Sequence, residues 1–338
     1  MTAPTPVMET VKPPASRPAA RSPWVPFLLR RLVGLVAVLV TLVVGTFLIV
    51  QLIPGDPART IAGSNATPER IEQLRTQLGL DQPLWTQFTD YAGGVLRGDL
   101  GTSFANGQPV TQIIGDRLPF TAELALIAIV LVLLVSVPFG MAVAVACRGG
   151  RRRPLDTGFS AVTALAGAVP EYVLGTVLVL VFAITFTMLP AAGAASVGAL
   201  VLPVLAISVG PICTMARIVR RETAAVLEQD YLRTARGRRL RAVRLYARHA
   251  LPNLMTSTLT LGGLILSGLL GGTVVVEIVF AWPGLGTAVV NAITSRDYPV
   301  IQGVVLVLGL LATLLNLLVD VVLGLLDPRT LNGKAGSA

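Results

Sequence analysis

Six long apolar runs, separated by charged segments, leave this chain few ways to fold. They are Leu32 to Ile53, Phe120 to Ala146, Phe159 to Leu189, Ala199 to Ala216, Leu254 to Phe280 and Val300 to Leu326. Each is close to or longer than the roughly 20 residues a helix needs to cross a hydrocarbon core. The expectation is an all-α polytopic membrane protein with six transmembrane helices. Only 13% of the 338 residues are charged, against roughly 25% in an ordinary soluble domain. The longer runs imply tilt, extension beyond the bilayer, or a break such as Pro170 could introduce. Leu32 to Ile53 is too long for the core of a cleaved signal peptide and lacks a small-x-small cleavage site, so it counts as the first span.

The net charge of +9 raises the question of nucleic acid, but no aromatic-rich basic surface accompanies it. Its distribution fits topology instead. Of the 27 basic residues, 21 lie in alternate inter-span segments and termini and 6 in the others. The positive-inside rule then puts both termini in the cytoplasm and the chain in the cell membrane as a multi-pass protein. The resulting division is a cytoplasmic tail (1–31), a first span (32–53), an extracytoplasmic loop domain (54–118), a core (119–326) and a cytoplasmic tail (327–338). Pro, Ala and charged groups dominate the first 23 residues, which reads as a disordered tail. Within 54–118, Pro68 to Leu78 is an amphipathic helix with Thr67 as its N-cap. That domain is either a lid or docking surface for an external partner, or a structural collar over the spans.

Between the fourth and fifth spans lie some 36 residues, 217–252, far more than two antiparallel helices need as a connection. Asp230 can cap a helix from Tyr231 to Arg238, Gly237 interrupts it, and a second helix follows from Leu240 with Val243, Tyr246, Ala247 and Ala250 on one face. Such a basic hairpin with an apolar stripe suits insertion into a groove of a cytoplasmic protein. The bland alternative is an ordinary positive-inside loop.

The run DYLRTARGRRL followed by RHALPN resembles the cytoplasmic loop of binding-protein-dependent ABC importer permeases. That family's pattern is Glu-Ala-Ala, three residues, Gly, nine residues, then Ile-x-Leu-Pro. Arg233, Thr234 and Ala235 fall on the first triplet, Arg239 on the Gly, and His249 to Pro252 on the closing tetrad. Further strings are similar to the dipeptide and oligopeptide branch: LIPGDP (52–57), GDLGTSF (98–104), VEIVFAWPGLG (276–286), RDYPVIQG (296–303) and LLDPR (325–329). The resemblance implies a type I ABC importer permease fold with a cytoplasmic coupling-helix loop formed by Asp230, Tyr231, Arg233, Thr234, Ala235, Arg236, Gly237, Arg239, Leu240, His249, Leu251 and Pro252. It also implies the partners: a second, homologous permease in a heterodimer, two ATP-binding subunits carrying ATP and Mg, and an external substrate-binding protein. Peptides are the first substrate implied; nickel chelates, glutathione and sugars pass through closely similar permeases. Arg239 departs from the pattern, and the bend is expected at Gly237 or Arg239.

Carboxylates inside a membrane are costly, by roughly 2.5 to 3.5 kcal/mol at a helix centre, so those in the runs are candidates for function. Glu123 and Glu277, near outer ends, fit hydrated or gate-lining positions. Asp320 lies toward the inner end, placed to pair with Arg329 or Arg217. Glu171, directly after Pro170, either lines the pathway or bonds backbone freed by the proline. Trp282, Pro283, Gly284 and Gly286 form a turn at the interface, read as a re-entrant gate or as membrane anchoring by Trp.

The chain is not expected to be an enzyme or to hold a cofactor. Neither Lys12 nor Lys334 stands in a G-x-x-x-x-G-K-[ST] cradle, so ATP hydrolysis is assigned to partners. Cys147 and Cys213 lack metal-ligand spacing. A single histidine, His249, without a paired nucleophile argues against an intramembrane hydrolase, and the long loop argues against a secondary transporter, for which inverted repeats would be expected.

Overall fold

The computed structural model describes residues 24–52, 55–63, 66–237, 245–246 and 250–326. Among them five helices are long and apolar enough to cross a membrane, or six if one sharply bent pair counts as a single span. These are α1 (Trp24–Leu52), α5 (Val110–Ala146), α8 (Val201–Glu228), α10 (Leu251–Val279) and α12 (Tyr298–Leu326). The shorter α2 (Pro57–Ala62), α3 (Pro68–Gln77) and α4 (Leu84–Arg97) lie between α1 and α5. Thr67 caps α3 as the sequence predicts, its hydroxyl accepting the N–H of Arg70 at 3.4 Å.

The third apolar run departs from a continuous span. It forms α6 (Arg153–Gly167) and α7 (Glu171–Leu178), the latter continuing as a π-helical turn, Val179–Thr185, and the two axes are bent by 88°. Pro170 is the physical cause. It brings no N–H to the helix ladder and disfavours α geometry at Val169 before it. The fourth run also corrects its expected boundary: α8 continues to Glu228, twelve residues past Ala216. The segment Arg217 to Glu228 is rich in Arg, Glu, Ala and Leu, good helix formers without a breaker, so the interval expected as a loop begins as a helix. Residues 24–31 and 110–118, assigned above to a tail and to the loop domain, are likewise helical extensions of α1 and α5.

The core is built where α5, α8 and α10 meet. Leu124, Ala128 and Val132 of α5 pack with Leu202, Ile207 and Met215 of α8, with Leu269 and Val276 of α10, and with Phe280 directly after it. Gly140 of α5 permits the close approach to α8, since a Cβ there would lie 2.6 Å from the carbonyl oxygen of Ala216; small residues at such crossings are the general means of bringing membrane helices together. Helix α1 packs on α12 and presents Val25, Leu29, Val33, Val36 and Val40 outward. In water that face would be untenable; it is the surface a membrane helix shows to lipid or to another membrane subunit.

Candidate functional site

Helix α9 (Asp230–Gly237) follows α8 directly. Its apolar residues face the bundle: Leu232 is fully buried and Ala235 nearly so, packed with Leu227, Leu245 and Ala250. Ala235 and Ala250 of this cluster, with Tyr246 beside them, anchor the element to its own chain, whereas Tyr231 is exposed. Arg233, Thr234 and Arg236 are helical within α9. Gly237 closes α9 without a positive φ, so the left-handed bend considered there is not formed at that residue. Arg239, Leu240 and His249 lie outside the described residues, as do Val243 and Ala247. Leu251 and Pro252 begin α10, with Pro252 in the first turn, where a missing N–H costs no hydrogen bond.

At the opposite end of the bundle, Glu277 forms the centre of a buried polar corner. The carboxylate has no exposed surface. Its Oε1 accepts the hydroxyl of Thr121 at 2.7 Å, and its Oε2 accepts the N–H groups of Gly286 at 2.7 Å and Thr287 at 3.2 Å. Those amides open α11 (Leu285–Ser295), so the carboxylate sits where the helix dipole favours negative charge. Thr121 in turn accepts the N–H of Leu285 at 2.8 Å. Trp282 is buried and donates Nε1–H to the carbonyl of Phe120 at 3.1 Å. The expectation of a hydrated Glu277 is therefore corrected: its charge is held by protein donors. Membrane anchoring by Trp282 is corrected as well, because its indole is spent inside the protein.

The glycines of this corner are dictated by space. A Cβ at Gly284 would lie 2.3 Å from Glu277 Oε1, and one at Gly286 2.4 Å from Val274 Cα. Ala281 adopts φ 45°, a left-handed conformation that a residue with a Cβ adopts at a cost.

A second buried carboxylate, Asp297, was not singled out in the sequence. It accepts the hydroxyl of Ser103 and the backbone N–H groups of Phe104 at 2.9 Å and Ala105 at 3.3 Å. The strings GDLGTSF and RDYPVIQG, far apart in the chain, thus join through one side chain. The LIPGDP string meets them too: Arg296 donates to the Thr60 hydroxyl at 2.9 Å and its guanidinium covers Gly55, whose φ of 117° and lack of Cβ leave room for it. The signal that could have found Asp297 is an acidic residue directly before a helix start.

Glu171 is half-buried and is the first residue of α7, just beyond the 88° bend. A carboxylate at a helix N-terminus is favoured by the dipole. Glu123 is exposed on α5. Asp320 pairs with Arg31 of α1 at 2.6 Å, whereas Arg329, one of its two expected partners, lies outside the described residues; the helical extension of α1 back to Trp24 carries Arg31 to the end of α12. Among the described residues no group of three His, Cys, Asp or Glu is placed to hold a metal ion.

Comparisons with known proteins agree with this architecture. The family described as "Binding-protein-dependent transport system inner membrane component" matches residues 136–332, and its N-terminal companion matches residues 24–125. A Brucella abortus (strain 2308) protein with the provisional name peptide transport system permease protein is 38% identical over 310 residues, covering 89% of this chain and 98% of the relative. The glutathione transport system permease protein GsiC of Salmonella choleraesuis (strain SC-B67) is 40% identical over 302 residues, covering 89% and 97%. Among solved structures, a chain of the inward-facing MetNI methionine ABC transporter shares the fold at a TM-score of 0.53 and 14% identity, covering 64% of this chain and 97% of that one. The chain belongs to the family of binding-protein-dependent transport system inner membrane components, with the fold of an ABC importer permease.

Proposed function

We propose that this protein is the transmembrane permease subunit of an ATP-driven importer that moves peptides across the cell membrane. The observation that supports it best is α9: a short helix fixed to the end of α8 by Leu232 and Ala235, with Tyr231 turned outward, in a chain whose family match runs across both halves. An element anchored by Leu232 and Ala235 that leaves Tyr231 exposed can pass a push from a partner into the span it is attached to. In this reading α9 and the residues after it engage an ATPase subunit, both termini are cytoplasmic, and a second permease completes the pathway.

ATP binding closes the ATPase pair, α9 moves with it, and α8 carries the displacement to α5 and α10 as a rigid-body change. Glu171 at the α6–α7 bend and the corner from Trp282 to Gly286 are the candidate pathway or gate elements. Substrate reaches the pathway from an external binding protein, and residues 55–109 are placed to meet it. The relatives named for peptide and for glutathione transport support a peptide cargo; glutathione is itself a small peptide.

Purification from the native host tests the reading. Two ATP-binding subunits should accompany the chain, and replacing residues 230–237 with a Gly/Ser segment should abolish labelled-peptide uptake while leaving the protein in the membrane. Uptake that survives the replacement, or a chain that purifies without any ATPase, overturns the proposal.

A further inference from the structure

At the α9 end of the bundle, a cavity of about 460 Å³ opens between the end of α5, the start of α6 and the last turns of α8. Arg148, Arg151, Arg153 and Arg220 line it, against only two carboxylates, Asp156 and Glu228. Asp156 and Arg220 are already paired with each other across α6 and α8. Yet that pair is incompletely satisfied: Arg220 Nε and Asp156 Oδ1 are both buried with no hydrogen-bond partner. The α6 N-terminus at Arg153 borders the same space without a side-chain cap, adding the positive end of a helix dipole. The walls therefore ask for an anion with several acceptor oxygens, and the partly exposed Asp156 side chain can accept a hydroxyl beside it.

We infer that this cavity binds a phosphodiester or phosphomonoester carrying a neighbouring hydroxyl, of the kind a phosphatidylglycerol headgroup or free glycerol phosphate presents. The arginines take the phosphate and the Asp156 carboxylate accepts the hydroxyl. The pocket lies where two apolar helices end, the depth at which headgroups lie, and a basic recess between spans is the usual form of an anionic-lipid site. A positive-inside segment needs only charge. It needs neither a concave recess nor four arginines gathered around one.

The test uses the intact transporter with its partner subunits, in vesicles of phosphatidylcholine with or without phosphatidylglycerol. Cys147 lines the cavity and is partly accessible, so its alkylation by a maleimide, followed on the Cys147 peptide by mass spectrometry, reports occupancy directly. Phosphatidylglycerol should slow alkylation of Cys147 and phosphatidylcholine alone should not. Glycerol 3-phosphate in phosphatidylcholine vesicles is the second arm: protection there points to a soluble ligand, protection only by the lipid to a headgroup. Retention of phosphatidylglycerol by native mass spectrometry should fall roughly thirtyfold in R148A/R151A, as loss of two basic contacts to anionic lipid implies. The charge-matched R70A/R97A at the other end should retain it. Equal alkylation of Cys147 under all three conditions overturns the inference, whether because the site takes no phosphate or because a partner subunit covers it.

Discussion

The hydroxyl of Thr121 on α5 is hydrogen-bonded to Glu277 on α10 at 2.7 Å while it accepts the N–H of Leu285 at 2.8 Å. One small side chain thus ties two spans to the start of α11. Thr121→Val removes the donor to a buried carboxylate and the acceptor for a buried amide, so about 1–3 kcal/mol of stability should be lost. Thr121→Ser keeps both bonds and should restore most of it. Thermal unfolding in detergent separates the two; equal melting of wild type and Thr121→Val would show that water replaces the hydroxyl.

Gly286 leaves no room for a methyl group, since a Cβ would lie 2.4 Å from the backbone of Val274. Gly286→Ala should destabilise the corner by about 1–3 kcal/mol, the range for overpacking. Gly284→Val and Gly286→Val should block uptake for the same reason, and membrane insertion should survive because the spans remain apolar. Measured uptake at the wild-type rate with Gly286→Ala would contradict this.

Asp297 holds three consecutive residues of the loop before α5. Asp297→Ala should release residues 98–109, with hydrogen bonds to a charged acceptor contributing about 1.5–3 kcal/mol each. Limited proteolysis should then cut this loop, which wild type protects. Asp297→Asn should show an intermediate rate, because it keeps acceptor oxygen but loses the charge.

Arg75 of α3 binds the Asp56 cap of α2 at 2.6 Å. Burial alone would raise the Asp56 carboxyl, but the Arg75 hydrogen bond, the Ala58 N–H and the Arg75 charge together hold it below its ordinary value. Because the folded value lies below the unfolded one, the contribution to stability is complete above the unfolded value of about 3.9 and is lost as pH falls through the folded one. Arg75→Ala should move that loss to higher pH. Carboxyl NMR of Asp56 reads the shift; an unchanged titration in Arg75→Ala would refute the pairing.

Arg31 and Asp320 join α1 to α12, with partial exposure of both side chains. A double-mutant cycle of Arg31→Ala and Asp320→Asn should give a coupling between about 0 and 1 kcal/mol, as for other exposed pairs. A coupling several times larger would mean that this end of the bundle is shielded from solvent.

Five of the six expected membrane-crossing segments were legible in the sequence as single long helices, the third run being bent by 88°, because the hydrocarbon core demands about 20 apolar residues in a row whatever the rest of the chain does. The α3 cap at Thr67 was legible because an N-cap is a contact between residues three apart. So was family membership, carried by strings such as GDLGTSF and VEIVFAWPGLG. What those strings do was decided only in three dimensions. Glu277 reads as a membrane carboxylate until Thr121, more than 150 positions away, and the amides of α11 enclose it. Asp297 gains its role from Ser103, and Asp320 its partner from a helix that starts earlier than the apolar run does. Burial and hydrogen-bond partners of a polar group depend on which distant segments come to surround it, and local pattern carries no record of that. The apolar residues of α9 teach the same lesson: only the packing of Leu227 and Ala250 against Leu232 and Ala235 decides that they face the bundle.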